Sequence, residues 1–103
     1  MARTVTLVTA IVKWLSFYQY GVAKYILREA VASNVVRLLR EEREKRGLSM
    51  NVVAQHSGLS HSIISLIERN LRNPTLDTLL RISEAFEIDL GEVITRARKE
   101  LPK

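Results

Sequence analysis

The chain has 103 residues, which is one small domain or one domain with an arm. Its hydrophobic share of 47% can build a core, and the absence of cysteine excludes a disulfide framework, a thiolate metal site and a thiol nucleophile. The net charge of +5 points towards nucleic acid or an anionic surface as partner, and four glycines and two prolines are too few for an all-β chain of many hairpins.

The first 33 residues differ in composition from the rest. They hold five of the six aromatics (Trp14, Phe17, Tyr18, Tyr20 and Tyr25), and their charges are Arg3, Lys13, Lys24 and Arg28 against Glu29 alone. Most of the excess positive charge therefore sits in this arm. A membrane span is not expected, because Lys13 lies near the middle of the apolar run and Gln19 and Gly21 dilute it. A cleaved export signal also fits poorly, with only Arg3 ahead of that run. Val22, Tyr25, Ile26 and Ala30 have helical spacing. The arm is expected to form one or two helices, interrupted near Gly21, packed on the domain or on a second copy. The other reading of the same stretch is a coding extension ahead of the true start.

Beyond residue 33 the chain reads as five short helices. Residues 37–46 are rich in strong helix formers and end at Gly47 as a left-handed cap, with i,i+4 pairing of the type Glu41–Lys45. Ser49 caps a second helix carrying Val52, Val53 and Ala54; Gly58 ends it; Ser60 caps a third with Ile63, Ile64 and Ile67. Asn70 and Asn73-Pro74 mark a loop. Thr75 caps a fourth helix with Leu76, Leu79, Leu80 and Phe86, and Asp89 a fifth with Leu90, Val93, Ile94 and Ala97. Arg96, Arg98 and Lys99 suit the dipole at the end of the fifth. The fold class is therefore all-α. The expected division is an arm over residues 1–33, a domain over 34–99 and a tail over 100–103.

Residues 50–68 form two helices and a tight turn. Ala54 is small where the helices cross closely, and Gly58 supplies the positive φ that such a turn needs. Val53, Leu59, Ile64 and Ile67 fix the angle between them. With Arg43, Gly47-Leu48-Ser49, Val53-Ala54, Gly58-Leu59-Ser60, Ile64-Ser65, Ile67-Glu68, Asn73-Pro74-Thr75-Leu76, Thr78-Leu79, Ile82, Ala85-Phe86 and Ile88, the chain resembles the Cro/phage-repressor (XRE) type of helix-turn-helix domain. The match covers about two thirds of the chain, from Asn34 to Arg98. The resemblance implies a five-helix, lambda-repressor-like fold and a sequence-specific transcriptional regulator of double-stranded DNA.

It also assigns roles. The outward side chains of the third helix, His61, Ser62, Ser65 and Leu66, would meet base edges in the major groove. Ser49, Met50, Arg69, Arg72 and Thr75 would meet phosphate, the last through an unpaired helix N-terminus as at Ser49. Arg43 and Glu68 match a pair that orients the recognition helix. Two positions depart from the pattern. Met50 replaces a common Gln and offers phosphate no side-chain hydrogen bond, and Asn70 stands where glycine is usual. Trp14, Phe17, Leu90, Val93 and Ile94 are the dimerisation candidates, for a homodimeric repressor reading a pseudo-palindrome with half-sites about 34 Å apart.

Other chemistries find little in the sequence. His56 and His61 are the only histidines and have no third ligand near them, so neither metal nor cofactor is expected. Ser60, Ser62 and Ser65 lack an oriented base, so no enzyme is expected. The expected location is the cytoplasm, on the nucleoid. The alternative function is an interaction module such as an antitoxin, whose arm binds a protein partner and whose DNA binding is autoregulatory.

Overall fold

The computed structural model describes residues 2–101, with side chains from residue 7 onward except those of residues 17 and 19–22. All described secondary structure is helical: α1 (Ala2–Lys45), α2 (Met50–Ser57), α3 (His61–Glu68), α4 (Leu76–Phe86) and α5 (Leu90–Lys99). The molecule measures 70 × 24 × 18 Å. Its length is that of α1, since 44 helical residues rise by about 66 Å at 1.5 Å each.

The N-terminal half of α1 corrects the expected break near Gly21. The helix runs through Gly21 without interruption and continues past residues 33 and 34 into the domain; its described side chains from residue 7 to residue 29 are exposed, while Val31 packs against the core. Leu7, Val8, Ile11, Val12, Trp14, Leu15, Tyr18, Tyr25 and Ile26 are all exposed. Among the described residues, no helix is long and apolar enough to cross a membrane.

The core begins where α1 meets the other helices. Val35, Val36, Leu38 and Leu39 of α1 pack with Val53, Ile64, Ile67, Ile82, Phe86, Leu90, Val93 and Ala97. Polar contacts fasten α1 to the far end of the chain. Asn34 donates to the Ala97 carbonyl at 3.1 Å, and Arg37 pairs with Glu41 and with Glu100, which ends α5. Those two carboxylates raise the Arg37 pKa above its ordinary value, the Glu41 hydrogen bond most. Over residues 37–46 the i,i+4 pairs are Arg37–Glu41, Arg40–Glu44 and Glu42–Arg46, rather than Glu41–Lys45.

Short connections follow from local chemistry. Ser49, Ser60, Thr75 and Asp89 each accept a backbone N–H in the first turn of the helix they begin. Gly58 lies at φ 72°, so α2 can stop and α3 start within a few residues. Asn70 takes the same left-handed region at φ 57°, in the place where glycine was usual. Glu87 takes it too, at φ 59°, and nothing in its side chain advertises that.

Candidate nucleic-acid interface

α3 carries the candidate base-reading residues on a helix with two distinct sides. Ile64 and Ile67 are 2% and 3% exposed and anchor it in the core. His61 and Ser62 are exposed, and Ser65 and Leu66 half-buried. These four and Arg69 recur at i, i+1, i+4, i+5 and i+8, which keeps them on one side. Ser60 starts the helix, its Oγ accepting the Ile63 N–H at 3.2 Å. Arg69 ends it, its Nε donating to the Ser65 carbonyl at 3.4 Å. The outward side is thus short, polar at its N-terminal end and basic at its C-terminal end.

Two helix N-termini flank α3. At α2 the Ser49 Oγ accepts the Val52 N–H at 3.2 Å, and at α4 the Thr75 Oγ1 accepts the Thr78 N–H at 3.1 Å. The other first-turn N–H groups lack helix partners, as at every helix start, and suit an anion. Met50 does not present its side chain there. It is half-buried against the core, so only its backbone N–H remains for phosphate. Arg72 is exposed in the loop between α3 and α4.

Arg43 and Glu68 lie against each other, each with a side chain 12% exposed. Arg43 Nε donates to Glu68 Oε1 at 2.6 Å and Nη2 to Oε2 at 3.0 Å. The remaining guanidinium nitrogen, Nη1, donates to the Leu48 carbonyl at 2.8 Å. The hydrogen bond with Glu68 raises the Arg43 pKa, against the opposing effect of burial.

The dimerisation candidates separate. Leu90 and Val93 are a correction: at 5% and 7% exposure they lie in the core of a single chain, so their apolar surface is already covered. Ile94 is half-buried and Trp14 fully on the surface, while the Phe17 side chain lies outside the described residues. Sequence reasoning also passed over two polar links. Asn34 holds α1 to α5, and Asn70 Nδ2 donates to Ser33 Oγ at 3.3 Å, tying the loop after α3 to α1. A lone Asn carries no signal of its distant partner. Among the described residues, no three His, Asp or Glu side chains gather as a metal site would need.

Comparison with known proteins agrees with this geometry. The helix-turn-helix family profile matches residues 39–93. The chain is 38% identical over 69 residues to an uncharacterized HTH-type transcriptional regulator, y4dJ, of Sinorhizobium fredii, covering 67% of this chain and 84% of that protein. It is 34% identical to the control protein C.SmaI of Serratia marcescens, over 68% of this chain and 79% of the other. It is 36% identical to the HTH-type transcriptional regulator PuuR of Escherichia coli, over 59% of this chain but only 33% of that longer protein. Among solved structures, the wild-type restriction-modification controller protein C.Esp1396I superposes with a TM-score of 0.61 at 27% identity, covering 68% of this chain and 96% of its own. The profile match runs from the C-terminal end of α1 through α2, α3 and α4 to the start of α5. The chain belongs to the Cro/phage-repressor (XRE) type family of helix-turn-helix, DNA-binding transcriptional regulators.

Proposed function

We propose that this chain is a sequence-specific repressor that binds double-stranded DNA as a homodimer, with α3 of each copy in a major groove. The single observation that supports it best is the division of α3: Ile64 and Ile67 buried, His61 and Ser62 exposed. His61, Ser62, Ser65 and Leu66 read base edges, Leu66 only by apolar contact with a thymine methyl or sugar. Arg69, Arg72 and the starts of α2 and α4 at Ser49, Met50 and Thr75 hold phosphate. The Arg43–Glu68 pair sets the angle at which α3 is presented. Two copies read a pseudo-palindrome whose half-sites are about 34 Å, one helical turn, apart. The protein works in the cytoplasm on the nucleoid, without catalysis and without a cofactor. Selection of bound sites from random DNA tests this: a dyad-symmetric site is expected, and enrichment of no sequence would defeat the reading.

The exposed apolar surface of the arm favours a second reading, an antitoxin-like module whose arm holds another protein. Removing residues 1–33 separates the two. Loss of the dimer favours the first, and an unchanged dimer that no longer holds a partner favours the second.

A further inference from the structure

A cavity of about 530 Å³ opens where α1, α4 and α5 meet. Its apolar walls are Leu27, Val31 and Val35 of α1, Leu79 of α4, Ile94 of α5 and Leu101 just beyond it. The three α1 residues recur every fourth position and so form one stripe. At about 100° per residue this stripe lies roughly half a turn from the exposed Ile11, Leu15 and Tyr18 of the arm. Val35 is buried, and Val31, Leu79 and Ile94 pack against the core, so they make the cavity floor. Leu27 keeps 47% of its surface exposed.

The charged side chains in the lining are Arg28 and Arg98, with no carboxylate beside them. Neither guanidinium has an ion-pair or hydrogen-bond partner among the described residues, whereas Arg37 nearby is held by Glu41 and Glu100. Arginine lays its methylene stem along apolar surface and keeps its head in water. The cavity thus joins an apolar interior to a mouth charged with one sign. Its size and makeup are those of a small-molecule site, which typically holds about 300–1,000 Å³ and is mostly apolar with a few polar groups. A second cavity of about 430 Å³ shares Asn73 and Pro74 but carries Glu29 in place of the arginines, and so lacks this bias.

We propose that the cavity between α1, α4 and α5 binds a single-headed amphipathic anion of the medium-chain carboxylate class. The chain lies on Val31, Val35, Leu79 and Ile94, and the head stays at the mouth with Arg28 and Arg98. A neutral apolar molecule would leave the two arginines unanswered, and a cation would be repelled by them. A polyanion would have to bring charge against an apolar floor, which costs free energy. Asn73 and Pro74 also line the cavity and lead straight into Thr75, whose hydroxyl caps α4. The occupant therefore touches the segment that sets the start of α4. Binding is measured on the protein without DNA, so it stands or falls apart from the DNA reading.

Titration calorimetry of the full chain with decanoate, kept below the concentration at which it forms micelles, is expected to show one saturable site per chain. Affinity should rise by about fourfold for each methylene added from octanoate to decanoate. Decanol and decyltrimethylammonium should bind about tenfold more weakly or worse, and Arg28→Gln/Arg98→Gln should bring decanoate down to the level of decanol. Leu27→Glu, at an exposed position, should lose the site while circular dichroism keeps the domain's melting transition. Leu15→Glu, on the other side of the arm, should bind as the wild type does. Equal affinity for decanoate and decanol in the wild-type chain would overturn the proposal. Binding kept by Leu27→Glu but lost in Leu15→Glu would put the ligand on the arm and overturn it as well. Absence of saturable decanoate binding would also overturn it, and a sedimenting dimer that Leu27→Glu then converts to monomer would assign the cavity to a second copy.

Discussion

Arg43 holds Glu68 through two nitrogens and the Leu48 carbonyl through the third, so one guanidinium joins α1, the turn that follows it and α3. Such a pair stabilises little in net terms, because both charges had to leave water. Losing one partner is different, since the other is left half-buried without a counter-charge. Arg43→Ala and Glu68→Ala are each expected to destabilise the fold by about 2 kcal/mol, with the double variant costing less than the two together. Urea unfolding midpoints across this cycle measure it.

Base-reading and phosphate-holding residues are expected to fail differently on DNA. His61→Ala and Ser62→Ala should relax preference at particular base positions by roughly 1–3 kcal/mol while sparing random DNA. Arg69→Ala and Arg72→Ala should weaken all sequences alike and flatten the slope of log K against log salt by about 0.9 each. Titrations at several salt concentrations on specific and scrambled duplexes distinguish the two classes. Equal losses on both duplexes for His61→Ala would remove it from the base-reading set.

Glu87 occupies the left-handed region at φ 59° just past α4, with its backbone N–H bonded back into the helix. A residue with a Cβ loses about 1 kcal/mol there. Glu87→Gly is therefore expected to raise stability by about 1 kcal/mol, seen as a higher melting temperature. The change lies at the far end of α4 from Thr75, so DNA affinity should not move.

Phe86 is 2% exposed and is the aromatic side chain of the domain core. Phe86→Ala is expected to cost about 3–5 kcal/mol, which is a large share of the stability of a domain this small. Thermal unfolding followed by circular dichroism would show it. A loss under 1 kcal/mol would mean the core relaxes around the gap.

The domain was legible because its signals are local. Ser49, Ser60, Thr75 and Asp89 announce helix starts by their own chemistry, and Gly58 announces a turn. The arm was misread for a related reason. Gly21 and Ser33-Asn34 look like breaks, yet a glycine inside a helix costs only about 1 kcal/mol, and no proline precedes Pro74. Helix continuity through them is settled by neighbours on both sides. Leu90 and Val93 show another limit. An apolar stripe declares that a face will be buried and leaves open whether the cover comes from the same chain. Asn34, Asn70 and Glu87 act through partners or backbone angles that no neighbouring residue encodes.

An uninterrupted α1 also locks two azimuths together. The arm's exposed apolar residues and the proposed DNA-reading side of the domain are phased by the count of residues between them, at about 100° per residue. Adding or removing one residue near Ala32 would swing those apolar residues by that angle and leave every side chain otherwise unchanged. Where one assembly engages both, length changes in this stretch are expected to work only in near-integral turns, such as seven residues for two. The helix acts as a keyed shaft, and its tolerated length is set by rotation before reach.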